Sequence, residues 1–111
     1  SYDAYRDLVQ GFEAFVGGDV DAALAAFTRS AAADTTYPMP RLAAAIMHYN
    51  RGDAATAWRE TQALAASRER FGPVEQATYD MIAGMLRGDL PTVYRAMVRA
   101  AAITPGSINE Y

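Results

Sequence analysis

The sequence predicts an all-α fold of stacked antiparallel helix hairpins, and three observations lead there. Alanine, leucine, methionine and arginine, all good helix formers, dominate the 111 residues. Gly, Pro and Asp fall in clusters that punctuate the chain at intervals. The pairs Gly18-Asp19, Gly52-Asp53 and Gly88-Asp89 stand 34 and 36 residues apart, a period that holds two helices and their turns.

The helices this pattern predicts are 3–17, 20–33, 38–51, 54–70, 73–87 and 90–103. Gly18, Gly52 and Gly88 end the first, third and fifth in the left-handed conformation that glycine adopts without a Cβ clash. Asp19, Asp53 and Asp89 accept hydrogen bonds from the free N–H groups at the start of the helices that follow. Pro38, Pro73 and Pro91 sit in first turns, where a missing N–H costs nothing. Short loops force successive helices antiparallel. Each pair has an apolar face that it cannot bury alone, so pairs stack.

The length suits one domain, and 51% hydrophobic residues supply a core without disulfides or metal. The absence of cysteine excludes thiolate chemistry and fits a reducing, cytoplasmic compartment. Net charge is −3 and the arginines are scattered, so there is no electrostatic footprint for nucleic acid. All ten basic residues are arginine, as in the products of GC-rich bacterial genomes. No apolar run approaches the roughly 20 residues that span a bilayer, and no targeting segment is visible. The first residue is not Met, and Ser107-Ile108-Asn109-Glu110-Tyr111 reads as the start of a further helix, so the chain is expected to be a piece of a longer protein.

The segment Val20-Asp21-Ala22-Ala23-Leu24-Ala25-Ala26-Phe27 resembles the second helix of a tetratricopeptide (TPR) repeat, with Ala23 and Phe27 in the small and aromatic slots. Gly11 fills the small slot where paired helices cross closely; Ala45 and Ala57 match the two small slots of repeat two, and Pro105 matches the proline that ends a repeat. The resemblance covers essentially the whole chain and implies a right-handed solenoid of about three repeats, 3–36, 37–72 and 73–106, with a further helix starting at 107–111. The stretch Leu42-Ala43…Gly52, a longer loop and Glu75…Gly88-Asp89 also resemble the TPR regions of bacterial serine/threonine kinases and transcriptional regulators. There are departures. Asp7, Arg41 and Ala77 stand where the family has tryptophan; Thr61 and Met97 occupy the aromatic slots of repeats two and three; Met81 occupies the close-approach slot of repeat three. The departures imply altered helix crossings in the last two repeats.

Several motifs have a structural explanation. Arg51-Gly52-Asp53 and Arg87-Gly88-Asp89 spell a cell-adhesion tripeptide, but Gly makes the turn, Asp the cap, and Arg suits a helix C-terminus. Gly17-Gly18-Asp19 lacks the preceding strand and following basic residue of a phosphate loop. Arg68-Glu69-Arg70 reads as a solvated helix end, and Trp58 as a packing residue. His48, the single histidine, has no serine, carboxylate or second histidine placed beside it in sequence, and a metal needs three or four ligands. No catalytic residue, metal or cofactor is therefore expected.

In the TPR family the first helix of each pair lines a concave groove. Carried over by position, the groove slots fall on Tyr5, Leu8, Phe12 and Phe15; on Met39, Leu42, Ile46, Tyr49 and Asn50; and on Thr78, Ile82, Met85 and Leu86. They are largely apolar and aromatic. The clamp by which some TPR domains hold a C-terminal carboxylate needs Lys, Arg and Asn there, so that activity is not expected. The resemblance implies a non-catalytic interaction or regulatory module whose partner is a protein or peptide segment, of another chain or of its own parent, with homo-oligomerisation left open and neither nucleic acid nor membrane as partner. The alternatives are a small-molecule-sensing module using Tyr5, His48, Tyr49 and Asn50, and an enzyme with an acid beside His48. A closed pocket would favour the sensor and an open groove the scaffold.

Overall fold

The computed structural model describes residues 1–109, with side chains through residue 103. The elements are α1 Tyr2–Val16, α2 Val20–Ala33, α3 Met39–Asn50, α4 Ala54–Ala63, a 3-10 segment Ala65–Arg70, α5 Pro73–Arg87 and α6 Leu90–Asn109. No strand occurs among the described residues, so the all-α expectation holds.

The Gly-Asp turns are three copies of one device. Gly18, Gly52 and Gly88 have φ of +85°, +82° and +69°. A Cβ on any of them would meet nothing within 4 Å, so backbone conformation, not space, calls for glycine. The next N–H closes the turn each time, Asp19 to the Ala14 carbonyl at 2.9 Å, Asp53 to His48 at 2.9 Å and Asp89 to Gly84 at 2.8 Å. The aspartate side chains then accept from the N–H of Ala22, Thr56 and Thr92. Both cell-adhesion tripeptides are thus turn and cap.

α1 pairs with α2, α3 with α4 and α5 with α6; α2 also packs on α3, and α5 on α3 and α4. Leu8, Ala23, Phe27, Ala43 and Met47 form one core. Its centre is Phe27, fully buried, against which Gly11 comes so close that a Cβ there would lie 2.3 Å from the ring. The Ser30 hydroxyl donates to the Ala4 carbonyl and ties α2 to α1 inside the core. A second core joins Leu42, Ala45, Leu64 and Ile82, and the half-buried Ile46 packs against both.

Three expectations need correction. The helix predicted over 54–70 stops at Ala63, and residues 65–70 tighten into a 3-10 turn. Long-range contacts hold that turn: Arg68 donates to Asp80 Oδ1 at 2.8 Å and Oδ2 at 2.6 Å, and Gln76 Nε2 donates to the Arg68 carbonyl at 3.1 Å. In the third hairpin the close approach is made by buried Gly84, where a Cβ would lie 3.0 Å from Val93 Cγ2, and not by Met81. α6 accordingly turns Val93, Ala96 and Ala100 inward and leaves Met97 56% exposed instead of in a core slot. Finally, α6 continues to Asn109 past Pro105, the expected repeat end. A proline removes one hydrogen bond, and propagation of an existing helix tolerates that loss where nucleation of a new one is costly. The helix expected to start at 107 is instead the end of α6, and Glu110 and Tyr111 lie outside the described residues.

Asp80 ties the 3-10 turn to the last hairpin, because Arg99 of α6 also donates to its Oδ2 at 2.6 Å. The Arg68 hydrogen bonds, opposed by burial and assisted by Arg99, lower its pKa below the ordinary 3.8. A lowered carboxylate pKa gives stability that is present above the ordinary value and lost as pH falls through the lowered one. Asp80→Asn is therefore expected to cost about 1–2 kcal/mol near neutrality. The difference from wild type should shrink as pH falls below 3.8. Urea unfolding at pH 7 and at low pH checks it; a pH-independent difference would remove the charge from the explanation.

Candidate functional site

α1 has two opposite faces. Ala4, Asp7, Leu8 and Gly11 are buried against the hairpin partner. On the other side Tyr2, Tyr5, Val9, Phe12 and Val16, spaced i, i+3, i+7, i+10 and i+14, form one stripe in which only Val9 is half-buried. Phe15 lies beside it. Tyr5 is 61% exposed, and Phe12, Phe15 and Tyr49 of α3 are 41–43% exposed. Phe12 is held by an edge-to-face contact with Phe27, ring centroids 5.1 Å apart, so an exposed aromatic stands directly on the core. Tyr5 shares a shallow depression with Tyr37, whose hydroxyl pKa is raised, first by burial and then by Glu75 and Tyr5.

The groove expectation divides along this line. Tyr5, Phe12, Phe15, Tyr49 and Asn50 are at the surface, and Met39, Ile46, Thr78, Met85 and Leu86 are half-buried. Leu8, Leu42 and Ile82 are buried and are corrected to core residues. The reason is layering: α3 contacts α2, α4 and α5, so Leu42 and Ile82 join hairpins, while Leu8 is buried against its own hairpin partner, and none of the three is left to line a groove. What remains exposed is more aromatic: Tyr5, Phe12 and Phe15 on α1, and Tyr49 with Asn50 at the end of α3.

The slot assignment missed a second uncovered stripe. Leu90, Tyr94, Met97 and Val98 of α6 are 50–73% exposed. Their i, i+4, i+7, i+8 spacing is readable in the sequence, but the family's groove slots lie on first helices only.

The larger depressions lie elsewhere. One of about 560 Å³ is lined by Thr35, Thr36, Arg41, Ser67, Arg70 and Phe71, among others. Another of about 440 Å³ shares Thr35 and Arg41 with it and adds Thr28, His48 and Glu60. His48 is half-buried there, with no side-chain hydrogen bond among the described residues. Thr35, Thr36 and Arg70 are exposed, so the larger depression is open and not a closed chamber. Among the described residues no three His, Asp or Glu form a metal-ligating group, and no helix is long and apolar enough to cross a membrane. The chain matches no family model, no curated protein and no solved structure.

Proposed function

We propose that the chain is a non-catalytic, TPR-like interaction or regulatory module, and that the exposed aromatic residues of α1 and α3 accept an amphipathic helical segment of a protein partner. Support for the TPR likeness comes from the repeated Gly-Asp turn and the Gly11–Phe27 contact between paired helices. The observation that carries the function is the placement of Tyr5, Phe12, Phe15 and Tyr49, large rings left 41–61% exposed on packed helices. Uncovered apolar patches mark interaction sites, and aromatic anchors carry most of an interface's energy. An amphipathic helix supplies complementary anchors at i, i+3, i+4 and i+7. The helices hold the rings in place, which limits the entropy lost on binding.

Small-molecule sensing is the second reading, favoured by Arg41 and Arg70 around the larger depression, neither with an ion-pair partner among the described residues. Its open shape ranks it below the scaffold.

The test uses a displayed library of amphipathic helical peptides selected on the folded chain. Enriched peptides are expected to lose at least about tenfold in affinity on Tyr49→Ala, about 1.4 kcal/mol, with the circular dichroism unchanged. Arg59→Ala on α4 is the control: among the described residues its side chain donates only to the Thr56 hydroxyl. Peptides indifferent to Tyr49 but lost on Arg59→Ala would place the working surface on α4 instead.

A further inference from the structure

We infer that the helix this face accepts is α6 of a second copy of the chain, so that copies associate head to tail; the inference rests on the reading of α1 as a helix-accepting surface. Three observations on the two terminal helices lead to it.

The first is that α1 and α6 each carry an apolar stripe exposed in this chain. α6 packs on α5, with Val93 and Ala96 turned inward. Its outer stripe of Leu90, Tyr94, Met97, Val98 and Ala101 lies in solvent, with Leu90 at 73% and Tyr94 at 70% exposure. α1, at the other end, packs on α2 and shows the stripe from Tyr2 to Val16, with Tyr2 at 77% and Val16 at 85%. Among the described residues α1 and α6 do not pack together, so neither stripe covers the other in one copy, whereas each can cover the other between copies.

The second is charge. The polar arc beside the α1 stripe carries Asp3 and Glu13, with Arg6 between them engaged by Asp3 at 3.5 Å. On α6 no residue from Leu90 to Ile103 is acidic; Arg95 lies on the polar arc, while Arg99 is held by Asp80 of α5 at 2.6 Å. Glu13 and Arg95 have no ion-pair partner among the described residues, Arg95 donating only to the Thr92 hydroxyl. The Glu13 carboxylate on α1 and the Arg95 guanidinium on α6 attract each other, which favours the α1–α6 pairing over α1–α1 or α6–α6.

The third is form. Both stripes run along single helices over comparable lengths, from Tyr2 to Val16 and from Leu90 to Ala101. Ridges at this spacing interdigitate when two helices pack side by side. Because the two surfaces differ, the contact is heterologous and does not close at two copies.

The experiment is sedimentation velocity of the full chain across a concentration series, at low and high salt, on wild type and two face variants. Tyr94→Glu/Met97→Glu changes only the α6 stripe and Tyr2→Glu/Tyr5→Glu only the α1 stripe; all four positions are more than half exposed, so helicity by circular dichroism is expected to stay unchanged. Wild type is expected to pass beyond dimer as concentration rises and to weaken with salt. Each variant alone is expected to stay monomeric. An equal mixture of the two is expected to form dimers and stop there, since each copy retains one intact face. A monomeric wild type overturns the inference, as does a variant that still associates alone or a mixture that stays monomeric. Should wild type be monomeric while library-selected peptides still bind and depend on Tyr49, the face takes another protein's helix and only this inference fails. Absence of both association and peptide binding removes the proposed function as well.

Discussion

Phe27→Ala is expected to lower the unfolding free energy by about 3–5 kcal/mol, the range for emptying a buried aromatic site. Domain stability is of order 5–15 kcal/mol, so the loss would be a large share of the whole. The ring is fully buried in α2, among Leu8, Ala23, Ala43 and Met47. It also fills the space above Gly11, which has no side chain with which to fill the void itself. The complementary change is Gly11→Ala. Its Cβ would lie 2.3 Å from the ring, and overpacking of this kind costs about 1–3 kcal/mol. In the double variant the clash has no ring to meet, so the two costs should fail to add by most of the Gly11→Ala penalty. Urea unfolding of the four proteins measures the cycle. A Phe27→Ala loss below about 1 kcal/mol would place the ring outside the core, and additive costs would show that Gly11 and Phe27 do not touch.

The parts of this fold that were legible in the sequence are those with local causes. A positive φ calls for glycine and a free N–H calls for an aspartate, so Gly18-Asp19, Gly52-Asp53 and Gly88-Asp89 announced three turns without any knowledge of packing. The break at Leu64 was not legible, because its cause is remote: Arg68 reaches Asp80 and Gln76 reaches back to the Arg68 carbonyl. Nor did the sequence separate Gly84 from Met81 as the crossing point, since both lie on α5 and the choice depends on how Val93 docks. The candidate surface was half legible for a related reason. Helical periodicity finds apolar rows but not which row the neighbouring hairpin takes. Phe12 and Tyr49 stayed outside, whereas Leu8, Leu42 and Ile82 went inside. The α6 stripe has helical periodicity, but it lies on a second helix, outside the slots that line a groove in the family the chain resembles.

Leu42→Ala is the second large effect, expected at about 2–5 kcal/mol. Leu42 is fully buried in α3 and clusters with Ala45, with Leu64 after α4, and with Ile82 of α5. It therefore stands at the joint by which the last hairpin is attached, since α5 meets the rest of the stack through α3, α4 and the 3-10 turn. Phe27 stands in the first core, which draws on α1, α2 and α3. In a stack of this kind each layer depends mainly on its neighbours, and local openings need not involve the whole chain. Hydrogen exchange under native conditions should then separate the two variants. Leu42→Ala is expected to speed exchange of α5 and α6 amides more than those of α1 and α2, and Phe27→Ala to do the reverse. Equal acceleration in every helix for both variants would mean that the chain opens only as one unit. The layered account would then fail even with both stability losses as expected. A gradient in opposite directions would instead locate the weakest joint between the two cores, where Ile46 packs against both.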